Sequence, residues 1–283
     1  MKTESRSRVF ISKGDPYESS LELLSTLRAK LTKSVEGKRV LIKPHTIGSD
    51  DFTTPLEVLE AMMNSLCVMN PSSVSLVSND LERLDNLGYG DLGLEIVEID
   101  VDNRYPITLR NTLTKGEVEF SVPSKLKDPD TFIISCSPIK THSKHILMCA
   151  ITNMLDLFTE TDKILNGSDE GSIRWMHDNI AKLMSEILPD LALIDGNHSL
   201  EGNGPLDGYH ISLGGSLISF DPVAADAVSA YLGGFDPYEI GYLYLLEKSG
   251  SGVADLSKID MRGEMERQNF KRPRDYYRLI YSP

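Results

Sequence analysis

Short apolar runs alternate along the chain with longer stretches in which apolar residues recur at every third or fourth position. That is the pattern of buried strands alternating with amphipathic helices. Val9 to Ser12 reads as a strand, and Asp15-Pro16 as a helix start with Pro in the first turn. From Tyr17 to Leu31, Leu21, Leu24, Leu27 and Leu31 fall on one helical face, widened by Leu23. Gly37 lies beyond that helix, and Arg39 to Lys43 forms the next strand, ended by Pro44. Thr53-Thr54-Pro55 opens a helix reaching roughly to Met69, with a hydroxyl cap and Pro. Ser73 to Ser78 is a strand, and Leu94 to Ile99 alternates partly, as on a half-exposed one.

The rhythm changes over residues 104–123, where Pro106 to Leu109 and Glu117 to Val122 flank Lys115-Gly116. This predicts a β-hairpin inserted between strand–helix units. Thr131 to Cys136 resumes the buried-strand pattern, followed by a polar loop and a helix over Ile146 to Leu157. Asp162 to Gly171 reads as a loop, and Ile173 to Leu188 as a helix closed by Pro189. Leu191 to Asp195 is a strand, Gly196 to Gly208 a glycine-rich loop, and Ser216 to Phe220 a last strand. Asp221-Pro222 and Asp236-Pro237 each start a further helix, and the basic stretch from Arg262 to Arg278 is expected on the surface. Strands alternating with helices predict an α/β fold, a mainly parallel sheet with helices on both faces and an inserted β-hairpin. The expected organisation is a single domain over residues 1–283, with the hairpin insertion at 102–124 and a surface tail at 260–283.

Composition narrows the function classes. A formal charge of −13 disfavours nucleic acid and anionic lipid as partners, since both are held by Lys and Arg. No run of about 18 apolar residues is present to span a membrane, and no apolar signal segment follows the polar start. Cys67, Cys136 and Cys149 are widely spaced within apolar segments. No disulfide framework and no self-ligated iron–sulfur cluster is expected from them. Together these features make the cytoplasm the expected location.

Ligands of open parallel sheets bind beyond the carboxyl ends of the strands. Here those ends carry Lys43, His45 and Thr46; Asn79 and Asp80; Lys140, His142, Lys144 and His145; and Asp195, Asn197, His198 and Glu201. Lys43 and Lys140 would form a cationic patch suited to a carboxylate or phosphate, with His45, Gly202 and Gly204 completing the binding surface. His142 would move a proton, with Glu201 or Asp195 as its partner. Plainer readings exist. Lys43 can extend into solvent, His142 can be a hydrogen-bonded structural histidine, and the glycines can serve a tight connection. His145 is expected on the surface, and His177, on the apolar stripe of its helix, reads as a core histidine. The glycine-rich stretch matches neither a dinucleotide fingerprint nor a P-loop.

LIKPH (41–45), TTP (53–55), SPIKTH (137–142), AITNMLDL (150–157), LIDGNHSLEGNGPLDG (193–208) and FDPVAADAV (220–228) occur in this order. In these motifs the chain resembles the domain of unknown function 362 family, DUF362, some of whose members carry an added ferredoxin-like segment. Two departures stand out: His45 takes the place of the usual Asn after Lys-Pro, and the cysteine-rich segment is absent. The strand-then-TTP arrangement is also loosely similar to lactate racemase-like proteins, with no residue or cofactor transferable. Three functions follow as expectations. The first is an enzyme using acid–base chemistry on a small anionic metabolite. The second, implied by the resemblance, is a non-catalytic partner of an iron–sulfur or redox protein. The third is a metal-dependent enzyme using His45, His142 and a carboxylate; no cofactor is named by the residues themselves.

Overall fold

A computed structural model describes residues 7–98, 103–110, 117–158 and 170–281. The strands are β1 (Ser7–Lys13), β2 (Arg39–Pro44), β3 (Ser73–Ser78), β4 (Glu95–Glu98), β5 (Arg104–Arg110), β6 (Glu117–Pro123), β7 (Thr131–His142), β8 (Ile146–Met148), β9 (Leu191–Glu201), β10 (Tyr209–Ile211), β11 (Gly215–Ser219) and β12 (Ile259–Arg262). The helices are α1 (Pro16–Thr26), α2 (Arg28–Val35), α3 (Leu56–Leu66), α4 (Leu81–Asn86), α5 (Glu170–Ile187), α6 (Pro222–Leu232), α7 (Gly241–Lys248) and the short α8 (Tyr276–Leu279). One sheet runs β12-β1-β11-β9-β7-β2-β3-β4, with β10 added to β9 and β8 to β7. Its neighbours are parallel except at β11, which is antiparallel to β9 and β1, and at the short β8 and β10.

Successive strand residues point to opposite faces, so the apolar runs feed two cores. Val40, Ile42, Phe132, Ile134, Leu191 and Leu193 pack with α1, α2 and α3. Leu41, Ile133, Ala192 and Ile194 pack with α5, α6 and α7. The Asp-Pro starts are capped as expected: Asp15 accepts from the Glu18 amide at 2.9 Å and Asp221 from the Ala224 amide at 3.0 Å. β5 and β6 form a separate antiparallel sheet whose Leu109, Phe120 and Val122 join the second core. The turn predicted at Lys115-Gly116 lies outside the described residues, as does 162–169 of the predicted loop. Among the described residues no helix is long and apolar enough to cross a membrane.

Several local expectations are corrected. The helix over Tyr17–Leu31 breaks at Leu27, which leaves helical geometry at φ −93° and ψ 2°, yet Leu23, Leu24, Leu27 and Leu31 all remain buried. β7 does not stop at Cys136 but runs on to His142, because residues 140–142 pair with β8. The helix expected over Ile146–Leu157 is instead β8 followed by a 3-10 segment, Thr152–Leu157. Likewise β9 continues to Glu201, so the first half of the glycine-rich stretch is strand, paired with β10. Asp236-Pro237 begins only a 3-10 turn, Pro237–Glu239, before α7. In the basic tail the cations stay outside, but Met265, Phe270, Tyr276 and Leu279 are buried. Arg272 lies over the rings of Phe235 and Tyr276, so the tail is a strap and not a loose surface segment. Cys136 and Cys149 are buried, whereas Cys67 is exposed.

Candidate functional site

The parallel strands β2, β3, β7 and β9 deliver their polar termini to one edge of the sheet. Lys140, far along β7, is fully buried, and its three ammonium hydrogens have three acceptors. These are His45 Nε2 at 3.0 Å, the Ile47 carbonyl at 2.8 Å and the Phe52 carbonyl at 3.3 Å. All three are neutral groups, and burial pulls the Lys140 pKa down to about 7. Asn153 fixes the tautomer of His45. Its amide nitrogen donates to the Lys43 and Cys136 carbonyls and to Ser135 Oγ, which turns Oδ1 toward His45 Nδ1 at 3.1 Å. Nδ1 therefore carries the proton, and the Nε2 lone pair faces Lys140 Nζ, with the Ile47 carbonyl, 3.1 Å from Nε2, accepting from the same ammonium. Burial first, then Lys140 and Lys43, hold the His45 pKa well below the usual histidine range. Thr54 completes the frame by accepting from the His45 amide and donating to the Cys136 carbonyl, each at 2.8 Å.

Lys43 is equally buried and does not reach solvent. Its ammonium donates to Asp156 Oδ2 at 2.8 Å and to the Pro44 carbonyl at 2.7 Å. Asp156 stands on the 3-10 segment, and its Oδ1 has no hydrogen-bond partner among the described residues. Burial raises the Asp156 pKa against the attraction of Lys43. A cavity of about 250 Å³ opens here, lined by Thr46, Gly48, Asn79, Arg83 and Asp156. A second cavity, about 310 Å³, is lined by Asp51, Thr54, Glu57, Tyr89 and His198. The segment joining β2 to α3 lines both, its first half one cavity and its second half the other.

The remaining candidates are placed differently from the grouping the sequence suggests. His142 Nδ1 accepts from the Lys144 and His145 amides at 3.1 and 3.3 Å, and its ring stacks on His145 at 3.6 Å. His145 is buried, against the surface position expected for it, and donates from Nδ1 to the Leu147 carbonyl at 2.8 Å. His177, also buried, accepts the Tyr242 amide on Nδ1 at 3.2 Å, as a core histidine should. Asp195 faces His198 and not His142. It accepts from His198 Nδ1 at 3.0 Å, the His198 amide at 2.9 Å and the Asn197 amide at 3.1 Å. The bond to Asp195 raises the His198 pKa. Glu201 accepts the Lys271 amide at 2.8 Å and anchors the tail strap. Gly202, at φ +98°, donates its amide to the Lys271 carbonyl at 3.0 Å. Gly204 backs onto β7, where a Cβ would collide with the Thr141 carbonyl oxygen.

Asn153, Asp156 and Arg83 were not singled out by the sequence as site residues, and His198 was noted only for its place at a strand end. Asn153 and Asp156 sit three apart in a stretch expected to be helical, and that spacing was the signal available for them. Among the described residues no group of three or more His, Cys, Asp or Glu is arranged to hold a metal ion.

The family profile described as Domain of unknown function (DUF362) matches residues 40–231, a stretch that includes every one of these side chains. The chain belongs to the DUF362 family. The profile match agrees with the order of motifs from LIKPH to FDPVAADAV. No curated protein matches this DUF362 chain. A crystal structure of a Thermotoga maritima protein, a structural-genomics target, is similar over 85% of this chain at 10% identity and a TM-score of 0.43. The alignment spans 60% of that protein's length.

Proposed function

We propose that this DUF362 protein is an enzyme that binds a small carboxylate or phosphate beyond the carboxyl ends of β2, β7 and β9 and moves a proton on it. One observation carries the reading: Lys140 is a fully buried ammonium whose acceptors are an imidazole and two carbonyls, with no carboxylate. A buried cation without a counter-charge is costly. An anionic ligand supplies that counter-charge and exchanges neutral acceptors for stronger, charge-assisted ones. A lysine at about pH 7 bonded to a neutral imidazole is also matched to proton transfer at neutral pH. Lys43, already neutralised by Asp156, orients the floor through Asn153, and Asp195–His198 supplies a second proton acceptor beside the other cavity. In this reading His142 and Glu201 hold the scaffold.

Thermal unfolding of the wild type and of Lys140→Met, with inorganic phosphate and with oxalate at millimolar concentration, tests it. The anions should raise the wild-type Tm by several degrees and leave the variant unmoved. No shift in the wild type, or equal shifts in both proteins, would count against the site.

A further inference from the structure

We propose that residues 46–53 are a gate over Lys140, latched from outside by Arg83, and that an incoming oxyanion replaces the gate's own carbonyl oxygens on the Lys140 ammonium. The inference rests on the reading of Lys140 as an anion site.

The carbonyls of this segment are shared between two cations on opposite sides. Thr46 and Gly48 accept from Arg83, from Nε at 3.1 Å and Nη2 at 2.8 Å. Ile47 and Phe52 accept from Lys140 at 2.8 and 3.3 Å. The third guanidinium nitrogen, Nη1, lies 2.7 Å from Asp50 Oδ1, so Arg83 grips the segment at three points. Between Ile47 and Phe52 no residue is buried, and the 3-10 turn Asp50–Phe52 is its regular structure. Polar clamps and the stacking of Phe52 on the His210 ring, centroids 6.2 Å apart, hold the segment in place with none of residues 47–52 buried, which is how locally opening segments are built.

Gly48 fits the same role. It has φ +99°, and a Cβ there would lie 3.2 Å from Lys140 Nζ and 2.8 Å from the Pro205 carbonyl. A side chain at this position would therefore crowd the ammonium, and the glycine leaves the space beside Lys140 Nζ open. The carbonyls of Ile47 and Phe52 occupy ground that two oxygens of a carboxylate or phosphate are chemically suited to take. When the segment lifts, Thr46 and Gly48 leave Arg83, whose fork lines the about 250 Å³ cavity. The ligand's negative charge then meets two cations instead of one.

Hydrogen exchange in the full-length chain tests the latch. The Phe52 and Thr53 amides, bonded within the segment's 3-10 turn to the Ser49 and Asp50 carbonyls at 3.0 and 3.2 Å, exchange when the turn that Arg83 grips through Asp50 loosens, and so report its release. Arg83→Gln should speed their exchange about ten-fold, equal to the loss of roughly one charge-assisted bond. The global Tm should not change, and phosphate and oxalate should associate faster by a similar factor. Asp50→Asn, which removes one of the three grips, should move both readouts in the same direction by about two-fold. Unchanged exchange in both variants overturns the latch, whatever the anions do. Faster exchange with unchanged or slower association overturns the gate while leaving the anion site standing. Faster exchange with no anion binding even in the wild type removes the underlying reading, and the gate's ligand with it.

Discussion

Acid should unfold this protein earlier and more steeply than its carboxylates alone would dictate. His145 and His177 are buried as neutral imidazoles, with burial as the main cause, and their pKa values are held down to about 4 and about 3. In the unfolded chain each returns to about 6.5. Their contribution to stability is complete above about pH 6.5 and is lost as the pH falls toward the folded values. Over that range the unfolded state takes up protons that the native state refuses, at about 1.4 kcal/mol per pH unit for each group. Two histidines give about 2.7 kcal/mol per unit.

Asp226 opposes them. It is buried beside Tyr242 and its pKa is raised to about 8, so its contribution is lost as pH rises and regained as pH falls. That restores about 1.4 kcal/mol per unit over the same window. Between about pH 6.5 and about pH 4.5 the net loss is therefore about 3 kcal/mol. His45 and His142, also lowered by burial, add to it, whereas Asp156 and Asp190, raised by burial, subtract from it. A domain with 5–15 kcal/mol in total feels such a loss strongly. Urea unfolding at several pH values measures it, and His177→Leu should reduce the slope by about 1.4 kcal/mol per unit whatever its effect at neutral pH. A slope for His177→Leu equal to that of the wild type would refute the burial of this ring as a neutral group.

Two substitutions probe the frame of the site. Asp156→Asn leaves the buried Lys43 without its counter-ion; because the Asp156 side chain keeps 22% exposure, the expected loss is about 2 kcal/mol, below the range for wholly buried pairs, and urea unfolding at neutral pH measures it. Gly204→Ala places a methyl group against the Thr141 carbonyl and should cost about 2 kcal/mol or more, whereas a wild-type midpoint would mean that the 202–208 turn stands off from β7.

How much of this was legible in the residues depends on what each run of side chains faces. β2 and the first half of β7 are short apolar runs buried on both faces, and such runs announce themselves. The second half of β7 did not, because Lys140 and His142 look like loop residues until β8 and the 46–53 segment are in place to satisfy them. The stretch 146–157 misled for the opposite reason. It is buried almost throughout, so its apolar residues carry no periodicity to separate helix from strand. Lys43, His45 and Lys140 were recognisable as a group from their strand-end positions, and Lys140 does meet His45. The partnership of Asp195 with His198 instead of His142 was hidden, since it depends on a register shift between β9 and β7 past Asp195 that only three-dimensional pairing reveals.

The proposed reading also accounts for three cations kept at the strand ends of an acidic chain. Lys43 has Asp156, Arg83 has Asp50, and Lys140 has carbonyls and an imidazole. Each is satisfied internally, so an anion does not fill a bare positive hole. Its affinity is a difference between the bonds it makes and the internal bonds it displaces. The difference is least favourable at Lys43, where a carboxylate is already in place, and intermediate at Arg83, whose partner Asp50 is 73% exposed and therefore weakly held. It is most favourable at Lys140, where the displaced groups are neutral. On the proposed reading this gradient directs a ligand to Lys140, a buried cation with no charge partner among the described residues, and leaves the Lys43–Asp156 pair as fixed structure beneath it.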